Sequence, residues 1–257
     1  MKIVLITGAS SGIGKELAYK YANDKNNLFL VARNEQALSE LKIDLENKYG
    51  ITVNILSKDL GKEESAREVY EYAIENNLQI TTLVNNAGFG DYGEFVNSDL
   101  EKQVNMINLN VTTLTKLTHY FLKDMKNVNY GNIINLASVA AFMPGPQMSV
   151  YYATKAYVLS LTEALSEELK GSDIYVTALC PGPTKTEFES NASVSFSSVK
   201  MQSVKEMVDY AYKEFVKRKK VIIIPGATNR AYITALKFLP RFMVRNIINQ
   251  VQSKFRR

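Results

Sequence analysis

The stretch SVYYATKAYVLSLTEAL, residues 149–165, sets two adjacent tyrosines shortly before a lysine. Tyr151 precedes Lys155 by four residues and Tyr152 precedes it by three. On a helix both spacings bring side chains to one face, so spacing alone leaves the choice between the tyrosines open. The chemistry such a pair offers is proton transfer. A free phenol ionises near about 10, too high for efficient proton exchange at neutral pH. A nearby ammonium favours the phenolate and lowers that value. A tyrosine and a lysine held together can therefore exchange a proton with an oxygen atom of a bound molecule. The bland alternative is a surface helix with ordinary aromatic packing.

Such a pair needs a frame and a reaction partner. Upstream, TGASSGIGKELA (residues 7–18) places Gly8, Gly12 and Gly14 between an apolar run and an amphipathic one. Glycines let the backbone turn tightly and approach a pyrophosphate, and the following helix N-terminus offers free N–H groups to it. Nearly continuous β-branched runs at 2–7, 27–32, 51–56, 80–85, 131–137, 173–179 and 220–225 read as strands buried on both faces. Helical patterns fill 12–24, 35–49, 62–77, 99–127, 150–170 and 203–217. This alternation predicts an α/β fold, a Rossmann-like doubly wound parallel sheet of about seven strands with helices on both faces. A glycine turn after the first buried strand of such a sheet is where a dinucleotide belongs. The reading divides the chain into one domain, residues 1–226, and a basic amphipathic C-terminal tail, residues 227–257.

A length of 257 residues suits one sizeable domain, and 46% hydrophobic content is ordinary for a globular protein. The single cysteine, Cys180, and single histidine, His119, rule out an intrachain disulfide and argue against a Cys/His metal cluster, so no metal is expected. Cys180 reads as a small buried hydrophobe and His119 as a helix-face residue without a catalytic role. One thiol suits a reducing compartment, and a cytoplasmic location is expected. No run of about 20 apolar residues occurs, so no membrane span is expected. The short apolar N-terminus leads straight into the glycine pattern and reads as a strand rather than a signal peptide. The net charge of +5 favours anionic ligands but is too weak and dispersed to argue for nucleic acid.

TGASSGIG resembles the T-G-x-x-x-G-x-G signature of the short-chain dehydrogenase/reductase family. The resemblance continues in order through NNAG at 85–88, Asn110 in NLNV, Ser138 in NLAS, YYATK at 151–155 and PGPTKT at 181–186. It implies hydride transfer between a nicotinamide cofactor and a carbonyl or alcohol. The family pattern Y-x-x-x-K selects Tyr151 with Lys155 and leaves Tyr152 to packing or subunit contact. It implies that Ser138 polarises the substrate oxygen, that Lys155 also binds the nicotinamide ribose, and that Asn110 holds a water linking Lys155 to solvent. It assigns Gly8, Ser10, Ser11, Gly12, Ile13 and Gly14 to the phosphate-binding turn, and Asp59 and Leu60 to the flanks of the adenine. Asn86, Ala87 and Gly88 pass the adenine ribose, with Asn85 tying strands together. Pro181, Gly182, Thr184 and Thr186 reach the nicotinamide end. Homodimers or homotetramers through the helix carrying YYATK and the one before it are also implied.

Enzymes that use NAD usually place Asp or Glu about 20 residues past the glycine turn, on the ribose 2′-hydroxyl. Here that position holds Ala32, followed by Arg33. A carboxylate that would repel a 2′-phosphate is missing and a guanidinium able to bind one is present, so NADP(H) is expected over NAD(H). Ser11 stands where many NADP-binding members carry a basic residue, with Lys15 nearby. The connection at 183–202 is long enough for a lid and carries Phe188 and Phe196. With Phe89, Phe142, Met143 and Met148 these residues either line an apolar substrate pocket or pack in the core. In the tail, Val244, Ile247, Ile248, Val251 and Phe255 recur at helical spacing among Arg241, Arg245, Lys254, Arg256 and Arg257, with Pro240 positioned to start the helix. Packing on the domain or on a second subunit is favoured for it, with an anionic membrane surface as the alternative. Two other classes remain beside the enzyme: a cofactor-binding regulatory or scaffold protein on the same fold, and a peripheral membrane adaptor.

Overall fold

A computed structural model describes residues 3–192 and 201–253. The strands are β1 (Ile3–Thr7), β2 (Asn27–Ala32), β3 (Val53–Ser57), β4 (Ile80–Asn85), β5 (Tyr130–Leu136), β6 (Asp173–Leu179) and β7 (Ile222–Ile223). They form one sheet in the order β3-β2-β1-β4-β5-β6-β7, with every pair parallel. Alternate residues of one strand feed opposite layers, as the strand period requires. Val4 and Ile6 of β1 join one core cluster, and Ile3 and Leu5 join the other.

The first layer is closed by α1 (Gly12–Asn23), α2 (Glu35–Tyr49) and α8 (Val204–Val216), which bury Leu17, Leu38, Leu45 and Met207. The second is closed by α3 (Ser65–Glu75) and α5 (Leu114–Val128) through Val69, Leu117 and Phe121. The long helix α6 (Ser149–Glu168) buries Val158 and Leu159 against Ala178 of β6. This is the doubly wound Rossmann-like arrangement expected from the strand–helix alternation.

Three elements depart from the sequence pattern. The helical run at 99–127 is broken into α4 (Leu100–Ile107), a π-helical turn (Asn108–Thr113) and α5. The apolar run at 220–225 supplies only the two-residue edge strand β7. After β6, a short helix α7 (Phe188–Asn191) lies within the long connection; Phe196 lies outside the described residues. Beyond β7, α9 (Ala227–Leu236) and α10 (Arg241–Gln252) fold onto the domain, with Pro240 immediately before α10. Lys254, Phe255, Arg256 and Arg257 lie outside the described residues. Among the described residues no helix is long and apolar enough to cross a membrane, and no His/Cys/Asp/Glu group is arranged to hold a metal.

Candidate active site

The strand order reverses its direction of growth between β1 and β4, which leaves a crevice at their carboxyl ends. The glycine turn after β1 and the NNAG segment after β4 meet there. Gly8 (φ +64°) and Gly12 (φ +54°) hold left-handed backbone that favours glycine. Gly14 is set by proximity: a Cβ there would lie 2.6 Å from Asn86 Nδ2, too close for any side chain. Asn86 Nδ2 donates to the carbonyls of Thr7 (2.9 Å) and Gly8 (3.0 Å), and Thr7 Oγ1 accepts from the N–H groups of Asn86 and Ala87, each at 3.0 Å. The Asn86 carboxamide therefore shapes the turn, a role the local sequence did not signal.

Ser11 precedes α1 but makes no side-chain cap to it; its hydroxyl donates to Glu187 Oε2 at 3.0 Å. Ser10, Ser11, Gly12 and Ile13 are half-buried along the turn. A sterically closed cradle with an uncapped helix N-terminus fits the pyrophosphate of a dinucleotide. At the far end of β2, Arg33 is exposed directly before Asn34, whose side chain caps α2 by accepting from Ala37 N at 3.0 Å. Lys58 lies alongside, its N–H donating to the Ala32 carbonyl at 2.9 Å. Asp59 Oδ1 accepts from Gly61 N at 3.0 Å. Leu60 turns its side chain into the core, and its carbonyl accepts from Thr113 Oγ1 at 2.7 Å. Asn85 Nδ2 bonds Asn135 Oδ1 (2.9 Å) and Thr118 Oγ1 (3.0 Å), tying β4 to β5 and α5 as the resemblance implied.

Asn110, Ser138, Tyr151 and Lys155 converge beside this crevice. The π-helical turn widens the helix at Asn110, which is 1% exposed. Its carboxamide pairs with both backbone groups of Phe89, accepting from N–H at 3.2 Å and donating to C=O at 2.9 Å, and reaches Thr154 Oγ1 at 3.2 Å. Gly88 is squeezed between: a Cβ there would sit 2.9 Å from Asn110 Oδ1 and 3.6 Å from Lys155 Nζ. Lys155 is 5% exposed, donates to the Leu136 carbonyl at 2.6 Å and lies 5.8 Å from the Tyr151 ring centre. Ser138 follows β5, accepts from Ala140 N at 3.1 Å, and sets its hydroxyl near the Tyr151 phenol, where it favours phenolate.

Tertiary contacts separate the two tyrosines. The Tyr152 ring fills the space at Gly145, where a Cβ would lie 2.3 Å from it, and packs with the α9–α10 cluster. Tyr151 faces Ser138 and packs against Phe188, ring centres 5.3 Å apart. The expected electrostatics need correction, however. Burial dominates Tyr151 and pushes its phenol well above the ordinary value, and the Ser138 contact only opposes this. Burial also brings the Lys155 ammonium down to about 8, so burial pushes both groups toward their neutral forms while the lysine still carries its charge at pH 7. Tyr152 is raised to about 12 by burial. Cys180 is fully buried, and burial raises its thiol to about 12, which leaves it unreactive at neutral pH. His119 is exposed on α5, away from this cluster.

The segment after β6 closes the other side. Pro181 C=O accepts from Val139 N at 3.0 Å, joining the β5 and β6 loops. Gly182 leaves no room for a side chain because Asn229 of α9 would be 2.5 Å from its Cβ. Thr184 donates to Gly182 C=O at 2.9 Å, and Thr186 brings its methyl to within 3.3 Å of the Cβ position of Gly12. Of the apolar candidates, Phe188 adjoins Tyr151, with Tyr92 and Met201 in the same cluster. Met143 and Phe142 instead pack under the tail with Ile233, Leu236, Val244 and Ile248, and Met148 is buried. Sequence reading missed Tyr92, whose hydroxyl donates to Gln252 C=O at 3.0 Å, and Gln252 itself, fully buried facing the Tyr152 hydroxyl. Neither side-chain polar atom of Gln252 completes a well-formed hydrogen bond among the described residues. No local pattern marks contacts that span so much of the chain.

The profile of the short chain dehydrogenase family matches residues 2–195. An 11-beta-hydroxysteroid dehydrogenase of Pinus massoniana is 37% identical over 70% of this chain, and the match spans only 51% of that relative. A short-chain dehydrogenase from Sphingobium yanoikuyae, solved in complex with NADPH, superposes with a TM-score of 0.85 at 36% identity and 92% coverage of both chains. The bulky-bulky ketone specific alcohol dehydrogenase from Comamonas testosteroni superposes with a TM-score of 0.79 at 29% identity, over 94% of this chain and 96% of that one. The glycine cradle, the doubly wound sheet and these likenesses agree: the chain belongs to the short-chain dehydrogenase/reductase family of oxidoreductases.

Proposed function

We propose that this protein transfers a hydride between NADP(H) and a carbonyl or alcohol carbon of an apolar substrate. The observation that carries the reading is Lys155, 5% exposed and 5.8 Å from the ring of a tyrosine that meets Ser138, at the rim of a glycine cradle. A bound nicotinamide supplies the hydride in reduction and accepts it in oxidation. Tyr151 gives its proton to the carbonyl oxygen as negative charge develops there, and Ser138 hydrogen-bonds the same oxygen. The burial that raises Tyr151 keeps it in the donor form at neutral pH. Below about pH 8 Lys155 carries its proton and steadies the phenolate left behind. Asn110 and Thr154 hold the Phe89 backbone and the lysine-bearing helix in register.

Arg33, exposed beside the small Ala32 and the N-terminus of α2, supports NADP(H) over NAD(H). The NADPH-bound relative agrees with this choice. Phe188 against Tyr151, with Tyr92 and Met201 in the Phe188 cluster, supports an apolar substrate, as do relatives named for a hydroxysteroid and for bulky-bulky ketones. A cytoplasmic homodimer or homotetramer through α5 and α6 completes the reading; Tyr157, 40% exposed on α6, bonds Thr115 of α5 at 3.0 Å on that surface. The test combines NADPH oxidation against a panel of bulky ketones with titration of NADPH and NADH. Charge-assisted bonds are worth roughly 1.5–3 kcal/mol, so Arg33→Ala weakens NADPH binding about ten- to a hundredfold and leaves NADH nearly unchanged. Ala32→Asp shifts preference toward NADH. Equal losses for both cofactors in Arg33→Ala remove the NADP(H) assignment, and no turnover with any ketone or alcohol removes the reaction.

A further inference from the structure

The α9–α10 unit has two faces. Inward, Val244 and Ile248 of α10 join Ile233 and Leu236 of α9 against Met143 and the half-buried Tyr152. Outward, the turn between the helices presents Phe238, 84% exposed, and Phe242, 58% exposed, with Met243 beside them. Phe242 lies two residues before Val244, so it points to nearly the opposite side of the helix and takes no part in the inner cluster. Aromatic side chains this exposed are costly to leave in water and signal a contact surface.

The charge that the tail itself brings to this tip has one sign. Lys237, Arg241 and Arg245 are all exposed beside it. From residue 227 to residue 257 the chain carries no Asp or Glu. Paired aromatics on a tail whose only charges are cationic match the boundary of an anionic bilayer, where the rings enter the acyl region and the cations meet headgroups. A second copy of the same face would set cation against cation, which disfavours a symmetric contact between copies.

We propose that the α9–α10 turn docks this protein onto anionic lipid surfaces, with Phe238 and Phe242 inserted and Lys237, Arg241 and Arg245 on the headgroups. Docking itself stands apart from the catalytic reading. One consequence rests on that reading: the inner face of α10 packs on Tyr152, the neighbour of Tyr151, so docking through the outer face holds the catalytic region one helix away from the phase in which an apolar substrate resides.

The test is flotation of the full chain with vesicles of phosphatidylcholine alone and of equal parts phosphatidylcholine and phosphatidylglycerol. Binding to the mixed vesicles only, weakening as salt is raised, is expected. Each cation near such a surface contributes roughly fivefold in partitioning, so Lys237→Gln/Arg241→Gln/Arg245→Gln lowers it on the order of a hundredfold. Phe238→Ser/Phe242→Ser likewise abolishes flotation. Both variants are expected to keep the wild-type circular dichroism spectrum and the same rate of reduction of a water-soluble ketone without lipid. Wild type that floats with neither vesicle overturns the proposal, as does flotation unaffected by either variant. A fall in mass by light scattering in Phe238→Ser/Phe242→Ser also overturns it, because the face then joins two copies. Wild type that floats but reduces no ketone upholds docking and refutes the catalytic reading instead.

Discussion

Lys155→Met is expected to make the protein more stable at neutral pH while abolishing turnover. The lysine is 5% exposed, and burial lowers it from 10.5 to about 8. At 1.36 kcal/mol per pKa unit, holding the charged form inside costs the fold roughly 3 kcal/mol when the group is fully protonated in both states. The folded pKa lies below the unfolded one, so between about pH 8 and 10.5 the unfolded chain binds more protons and wild-type stability gains with rising pH. Methionine fills similar space without the charge but leaves the Leu136 carbonyl without its donor, a loss of about 1 kcal/mol. The variant should therefore exceed wild type by roughly 2 kcal/mol at pH 7, and that advantage should vanish near pH 10 as the wild-type penalty is relieved. Urea unfolding of both proteins at pH 7, 8.5 and about 10 measures the difference, with shared titrations cancelling in the comparison. A Lys155→Met protein less stable than wild type at pH 7, or an advantage that does not shrink with pH, would refute burial as the dominant influence on this lysine. The expected gain in stability on removing Lys155 would instead fit a functional site held at the expense of stability.

Tyr151→Phe should abolish carbonyl reduction while NADPH still binds, and Tyr152→Phe should retain most activity; steady-state rates with fluorescence titration of NADPH check both, and the reverse pattern would reassign the proton donor. In wild type, reduction should decline on the alkaline side with an apparent pKa near 8, because charged Lys155 is lost there while Tyr151 remains protonated; a pH profile flat to pH 9.5 would contradict this. Asn110→Ala leaves the half-buried Phe89 N–H and C=O without their side-chain partner, so it should cost about 1–3 kcal/mol in urea unfolding in addition to lowering activity.

The alternation of β-branched runs with amphipathic ones determined the sheet, since strands buried on both faces leave little choice of residue. The glycine pattern after β1 likewise determined the crevice, because left-handed backbone at Gly8 and Gly12 and the tight approach at Gly14 exclude other residues. YYATK was legible as a candidate acid–base pair, but helical spacing served Tyr151 and Tyr152 equally. Only the tertiary structure separates them by contact: Gly145 and the α9–α10 cluster receive one ring, while Ser138 and Phe188 meet the other. The break at Asn110 was equally hidden, since the reason for widening that turn is a backbone pair at Phe89, far away in the chain. So was the inversion of the expected pKa pattern, which follows from burial and not from the nearness of a lysine in sequence. Periodicity records which side of an element is apolar. It does not record what that side packs against, and a site assembled from the loops after several strands, beside a returning C-terminal helix, is made of such contacts.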